Sequence, residues 1–281
     1  MKLTIISDIR GQSKTIIPYG LELAKQLKSE VDIVHIIDSR TKQGKYSPYA
    51  DSQSITPGNI LSHKQIIENE KIGANKILDK ILSKEASKLN YPLKINVTIE
   101  EGYLKKKIKE LVKANQDSLF LVSSEPDDYN FHSANEIIQT FRKTGAFTLF
   151  VPPEKKFAGI NQVLLLINFD LNDITHNISF LNFFKPTIFA LDIAENTIEK
   201  DKKSIKWLME AEKYLLTDIS IQKIILKGSN YLDMLKNHIG NSKHDVVLNL
   251  KKKPTLIGHK DDEKLLRRLI ENPQLPVLQP F

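Results

Sequence analysis

The sequence predicts an α/β chain made of two doubly wound, five-stranded parallel-sheet domains in tandem. Three observations predict it. Short apolar runs alternate with helical patterns along the whole chain; the run 3–6 closing on Ser7 and Asp8 returns as 163–167 closing on Asn168, Phe169 and Asp170; and each copy continues to a final short strand, 148–151 in one and 276–279 in the other. Buried strands separated by helices imply parallel pairs, which need right-handed crossover connections and bury both faces of the sheet. A length of 281 residues suits two domains that each bury a core, expected at 1–153 and 159–281.

In the first copy, residues 3–7 form strand one, and Ser13 is placed as the N-cap of the next helix. Ile16, Gly20, Leu23, Ala24 and Leu27 recur at spacings of three and four, so one face packs on the sheet while Glu22, Lys25 and Lys28 face water. Pro18 is expected in the first turn, where proline is tolerated, or as a shift or bend in the helix. Strand two, 31–37, ends in Asp38. The Ser-, Pro-, Gly- and Tyr-rich segment 39–62 is too long for a plain connection and reads as a lid, a contact surface or an insertion.

A helix over 63–89 carries Ile66, Ile67, Ile77, Leu78, Ile81 and Leu82, with Gly73 as its weak point. Strand three spans 94–99 and closes at Gly102; Leu104, Ile108, Leu111 and Val112 mark the next helix; strand four is 119–122. A helix over 135–143 and strand five over 147–151 follow, and Pro152 and Pro153 end the domain because neither can donate to a sheet ladder.

The second copy repeats the order: strand 163–169, helix 172–184, strand 187–191, helix 197–216, strand 219–226, helix 231–241, strand 246–250, helix 263–271 and strand 275–279. Ile198, Ile205, Leu208, Ala211 and Leu215 are expected on one face of its long helix, with Trp207 beside them. It lacks the long second loop and is the more compact copy.

Composition narrows the function. The apolar and charged fractions, 41% and 27%, are those of a globular protein, and no run approaches the length of a membrane span. The start reads as a strand rather than a signal peptide, so a cytoplasmic location is expected. The absence of cysteine removes disulfides, thiolate metal sites and thiol nucleophiles. A net charge of +7 and two lysine triplets, 105–107 and 251–253, raise nucleic acid as a partner. Interleaved Asp and Glu and the lack of a zinc-finger, RNP or basic-helix signature argue instead for solvated faces and no specific nucleic-acid binding. The seven histidines show no helical metal-motif spacing, and no Gly-x-Ser-x-Gly elbow occurs.

In this architecture ligands sit beyond the carboxyl ends of the strands at the topological switch point. Asp8, Asp170 and the loops after Val122 and Leu250 fall there. At these residues, and at Tyr19 to Ala24, Val34 to Asp38, Val97 to Gly102 and Thr148 to Pro152, the chain resembles the universal stress protein family in tandem form. The resemblance implies Rossmann-like, adenine-nucleotide-hydrolase-like domains. It extends over nearly all of 1–153 in element order and more faintly over 160–281.

In the nucleotide-binding branch of that family, the loop after strand four carries spaced glycines and then Ser or Thr, whose amides and hydroxyl cradle phosphates. Here Ser124 and Asp127 fall where the first two glycines belong, His132 where the third belongs, and Ser133 matches the hydroxyl. No glycine occurs between Gly102 and Gly145, and Glu125, Asp127 and Asp128 place carboxylates where phosphates would lie. The resemblance further implies that, if a nucleotide binds, Asp8 lies near the adenosine and the Ile36 backbone meets the base. Asp8 also reads as an acceptor for the following helix start. In the second copy the loop after strand four is basic, with Lys251, Lys252, Lys253 and Gly258.

The sequence therefore leads to a stress-response or signalling module, not an enzyme, with no cofactor and no metal. Its partners are expected to be proteins, a homodimer stays open, and no membrane is involved. The resemblance further implies that the last strands, 147–151 and 275–279, pair and make an intrachain pseudo-dimer. The alternative is an ATP- or AMP-binding protein with slow hydrolysis.

Overall fold

The computed structural model describes residues 1–7, 13–40, 62–124, 134–166, 178–193, 198–226, 231–249 and 275–279. By contact the chain divides into unit 1, Met1–Ala146 with Pro153–Phe157, and unit 2, Phe147–Pro152 with Ala158–Phe281.

Unit 1 contains β1 (Lys2–Ser7), α1 (Ser13–Leu27), β2 (Val31–Ile37), α2 (His63–Ala86), β3 (Ile95–Glu101), α3 (Leu104–Ala114), β4 (Ser118–Ser123) and α4 (Ala134–Thr144). Its strands lie in the order β3-β2-β1-β4, all parallel, with Leu3 opposite both Val31 and Leu119. The chain leaves β1 toward β2 and β3 and later returns to β4 on the other side. The switch point thus lies between β1 and β4.

Leu3, Ile5, Val31, Ile33 and Leu121 are fully buried, as their uninterrupted apolar runs predict. The edge strand β3 differs: Asn96, Val97 and Thr98 are exposed, because an edge has a neighbour on one side only. Asn96 Nδ2 donates to Asp32 Oδ1 across that pair (2.9 Å).

In α1 the buried set extends beyond the expected face to Ile17, Tyr19 and Leu21. Pro18 lies inside the helix rather than in its first turn. Proline there removes one helical hydrogen bond at a cost of about 3 kcal/mol, and burial of the surrounding side chains offsets it. At Gly20 a Cβ would meet the side chains of Ile5 and Leu121, the latter's Cδ2 at 2.8 Å. Glycine here lets α1 lie directly on β1 and β4.

α2 begins with a capping box: Gln65 N–H donates to Ser62 Oγ (3.4 Å) and Ser62 N–H to Gln65 Oε1 (2.8 Å). Gly102 closes β3 at φ +153° and donates its N–H to the Ile37 carbonyl (3.0 Å), turning the chain into α3. α3 buries Leu104, Ile108 and Val112 at a spacing of four, as predicted.

Unit 2 contains β5 (Thr148–Val151), β6 (Gln162–Leu166), a 3₁₀ segment (Ser179–Phe183), β7 (Thr187–Ile193), α5 (Ile198–Glu212), β8 (Ile221–Leu226), α6 (Tyr231–Asn241), β9 (Val246–Asn249) and β10 (Val277–Gln279). The parallel order β9-β6-β7-β8 repeats that of β4-β1-β2-β3. β10 runs parallel to β9 and antiparallel to β5, with Val277 opposite Phe150, Leu278 opposite Leu149 and Gln279 opposite Thr148.

The expected pairing of the two last strands is therefore present. It also explains why Phe147–Pro152 groups with unit 2, whereas the sequence reading cuts the chain at 153. Leu164, Leu166, Leu191, Leu235, Ile239, Val247 and Leu275 make one core cluster of this unit.

Of the expected helix 172–184, residues 172–177 lie outside the described residues, Ile178 is helical, and Ser179–Phe183 continue as a 3₁₀ segment, where Phe180 stacks edge-on with Phe147 (ring centroids 4.6 Å apart). One expectation in unit 2 is corrected. On α5 the buried face centres on Trp207 and Ala211, four apart and fully buried, while Ile205 and Met209 are 53% and 63% exposed. The bulkiest side chain, placed beside the face by periodicity, sets the helix rotation.

Candidate functional site

The switch-point crevice of unit 1 is framed by the carboxyl ends of β1, β4 and β2. Ser7 ends β1 and Ser123 ends β4, each two residues beyond the paired Ile5 and Leu121. Ser7, Ser123 and Ser124 are all buried. The hydroxyls of Ser123 and Ser124 have no hydrogen-bond partner among the described residues. A buried hydroxyl without a partner costs about 1–3 kcal/mol, so the end of β4 is a polar spot that the described protein atoms leave unsatisfied. His35 Nδ1–H donates to the Ser7 carbonyl (3.0 Å), which fixes the imidazole tautomer and ties β2 to β1 at the crevice.

Of the residues predicted for a nucleotide, the structure places Ile36 and Ser124. Ile36 is buried in β2, one residue beyond the last β1 pair, Ser7 with His35. Asp8, Asp127 and Ser133 lie outside the described residues, as do His132, Asp170 and the loop 251–260.

A charged cluster that sequence reasoning missed lies just beyond β2. Arg40 grips Asp38 with two parallel hydrogen bonds, Nε to Oδ1 (2.8 Å) and an Nη to Oδ2 (2.6 Å), and its backbone N–H also donates to Oδ1 (2.9 Å). The guanidinium sits 5.6 Å from the ring centroid of Tyr103. The Asp38 hydrogen bond raises the Arg40 pKa further. Arg40 is thus already neutralised by a carboxylate beside the crevice. The available signal was an acid closing a strand with an arginine two residues on.

Unit 2 holds a second titratable group. His238 on α6 and His244 before β9 face each other through Nε2, 3.2 Å apart, and the His244 ring centroid is 4.9 Å from that of Phe189. His244 is buried, its Nδ1 has no hydrogen-bond partner among the described residues, and burial lowers its pKa to about 4. Burial lowers that of His238 as well. No group of three or more His, Cys, Asp or Glu among the described residues could hold a metal ion. No described helix is long and apolar enough to cross a membrane.

No protein-family model matches the chain, and no curated protein matches it. Solved structures do. A universal stress protein from Archaeoglobus fulgidus DSM 4304 superposes with a TM-score of 0.64 at 13% identity, over 99% of this chain and 95% of that one. The chain has the universal stress protein fold.

A putative universal stress protein from Pseudomonas aeruginosa UCBPP-PA14 matches at TM-score 0.55 and 12% identity, over 99% of this chain and 91% of that one. The cytoplasmic domain of a prokaryotic cation chloride cotransporter matches at TM-score 0.51 and 13% identity, over 99% and 94%. The universal stress protein fold is thus carried here by apolar pattern and element order, with little residue identity.

Proposed function

We propose that this chain is a stress-response or signalling module without catalytic activity, its two repeats forming an intrachain pseudo-dimer that acts through protein contacts. The observation that carries this reading is the end of β4. Ser124 and Asp127 stand where the nucleotide-binding branch places its first two glycines, and Glu125 and Asp128 add carboxylates to the same stretch. Side chains at those positions obstruct the approach of amides to phosphate, and carboxylates repel it.

The pairing of β5 with β10 supports the pseudo-dimer, since the last strand of each repeat finds its partner in the same chain. The likeness to a cotransporter's cytoplasmic domain favours a role in protein contacts, because that domain is one part of a larger protein. We place the chain in the cytoplasm.

A second reading, an ATP- or AMP-binding protein with slow hydrolysis, is favoured by the unpartnered hydroxyls of Ser123 and Ser124, which a ligand could engage. Calorimetric titration of the whole chain with ATP and with AMP, alongside a phosphate-release assay, separates the two. The first reading expects no saturable heat and no release at millimolar nucleotide. Micromolar binding that is lost in the S123A/S124A variant establishes the second.

A further inference from the structure

α3 carries lysines at 105, 106, 107, 109 and 113. Those at the start of the helix are paired: Lys105 with Glu136 (2.7 Å), Lys106 with Glu110 (3.9 Å) and Lys107 with Glu100 (2.9 Å). Lys109 and Lys113, four apart and therefore on one face, have no ion pair or hydrogen bond among the described residues. Both line a cavity of about 500 Å³ together with Lys143, at the end of α4, which is likewise unpaired. The cavity lies at the amino end of β4, opposite the switch-point crevice. Val112 and Phe120 give it an apolar floor, Gln116 adds an amide, and no carboxylate lines it.

Lysines in the last turns of helices commonly serve the free carbonyls there. Here other groups take part of that task. Asn115 donates its backbone N–H to Leu111 (3.0 Å) and Val112 (3.2 Å) and its Nδ2 to Leu111 (2.9 Å), while Thr144 Oγ1 donates to Phe141 (2.7 Å). Three lysines thus line one concavity that has no carboxylate among its lining residues. Its volume falls within the range of small-molecule sites.

We propose that the cavity formed by Lys109, Lys113, Lys143, Gln116, Val112 and Phe120 is a binding site for a small organic polyanion, one carrying carboxylate or phosphate groups on an apolar body. Lysine ammoniums meet such groups as point charges, and the floor accepts the body. The site is independent of the switch-point crevice and of any nucleotide held there.

Calorimetric titration of the full chain with phenyl phosphate, citrate and pyrophosphate tests it. Saturable one-to-one binding is expected for at least one probe, weakened by salt. K113Q should weaken it about fivefold, K113R should retain it, and K109Q/K113Q/K143Q should abolish it. Melting temperatures of these variants should match the parent, because the lysine side chains are exposed. The proposal is overturned by no saturable binding of any probe at about 10 mM, by affinity unchanged in the triple variant, or by these lysines binding only an oligonucleotide or an acidic peptide.

Discussion

His238 on α6 and His244 face each other through their Nε2 atoms, 3.2 Å apart, within hydrogen-bond distance. One imidazole donates and the other accepts, so the pair is stable when neutral. The His244 pKa of about 4 lies below its ordinary value of 6.5 because of burial first and the neighbouring His238 second; Asp245 opposes both weakly. The unfolded chain therefore takes up a proton that the folded chain refuses. The His244 contribution to stability is complete above about pH 6.5 and falls as pH drops toward about 4, by roughly 3 kcal/mol at most. Urea unfolding followed across that window should show the fall, and H244F should flatten it. An unchanged slope in H244F would assign acid sensitivity to other groups.

Gly20 fixes how close α1 comes to the sheet. Alanine would gain about 1 kcal/mol of helix propensity but would drive its Cβ into Ile5 and Leu121, both fully buried. Overpacking of that kind costs about 1–3 kcal/mol, so G20A should be destabilising on balance. Adding I5V should recover part of the loss. Denaturant midpoints of the two single variants and the double variant give the coupling directly.

These residues show what the sequence makes legible. Spacing put Gly20 on the sheet-facing side of α1, but the need for glycine depends on Ile5 and Leu121, brought there by strand pairing. The strands were readable because their apolar runs are continuous, and the exposed middle of β3 was not, since edge position depends on sheet order. On α5 two apolar stripes compete, and only packing shows that Trp207 wins over Ile205. Family resemblance named Ile36 and Ser124, and the structure gives their location: Ile36 in β2 and Ser124 just after β4. Lys109 and Lys113 were not legible, because five lysines on one helix look alike until their carboxylate partners are known.

Leu149 and Leu278 face each other across the antiparallel β5–β10 pair, and both are buried. Each leucine-to-alanine change should cost about 2–5 kcal/mol through lost burial and the cavity left behind. Because the two share one contact, the double variant should cost less than the sum, with a coupling of about 0.5–3 kcal/mol. Strict additivity in chemical denaturation would mean that the strand pair contributes no direct side-chain interaction.

Trp207 is the single tryptophan of the chain and is fully buried in unit 2. Its fluorescence should be blue-shifted in the native protein and move to the red only when unit 2 opens. Its indole Nε1–H has no hydrogen-bond partner among the described residues, which costs on the order of 1 kcal/mol or more, whereas its rings supply the packing that holds α5. Replacement by phenylalanine removes both the orphaned donor and part of the volume, so W207F should lie within about 1 kcal/mol of the parent. W207A leaves the cavity without compensation and should cost about 3–5 kcal/mol. Circular dichroism melts of the two variants decide the matter: if W207F is as damaging as W207A, the indole nitrogen has a partner that stabilises it.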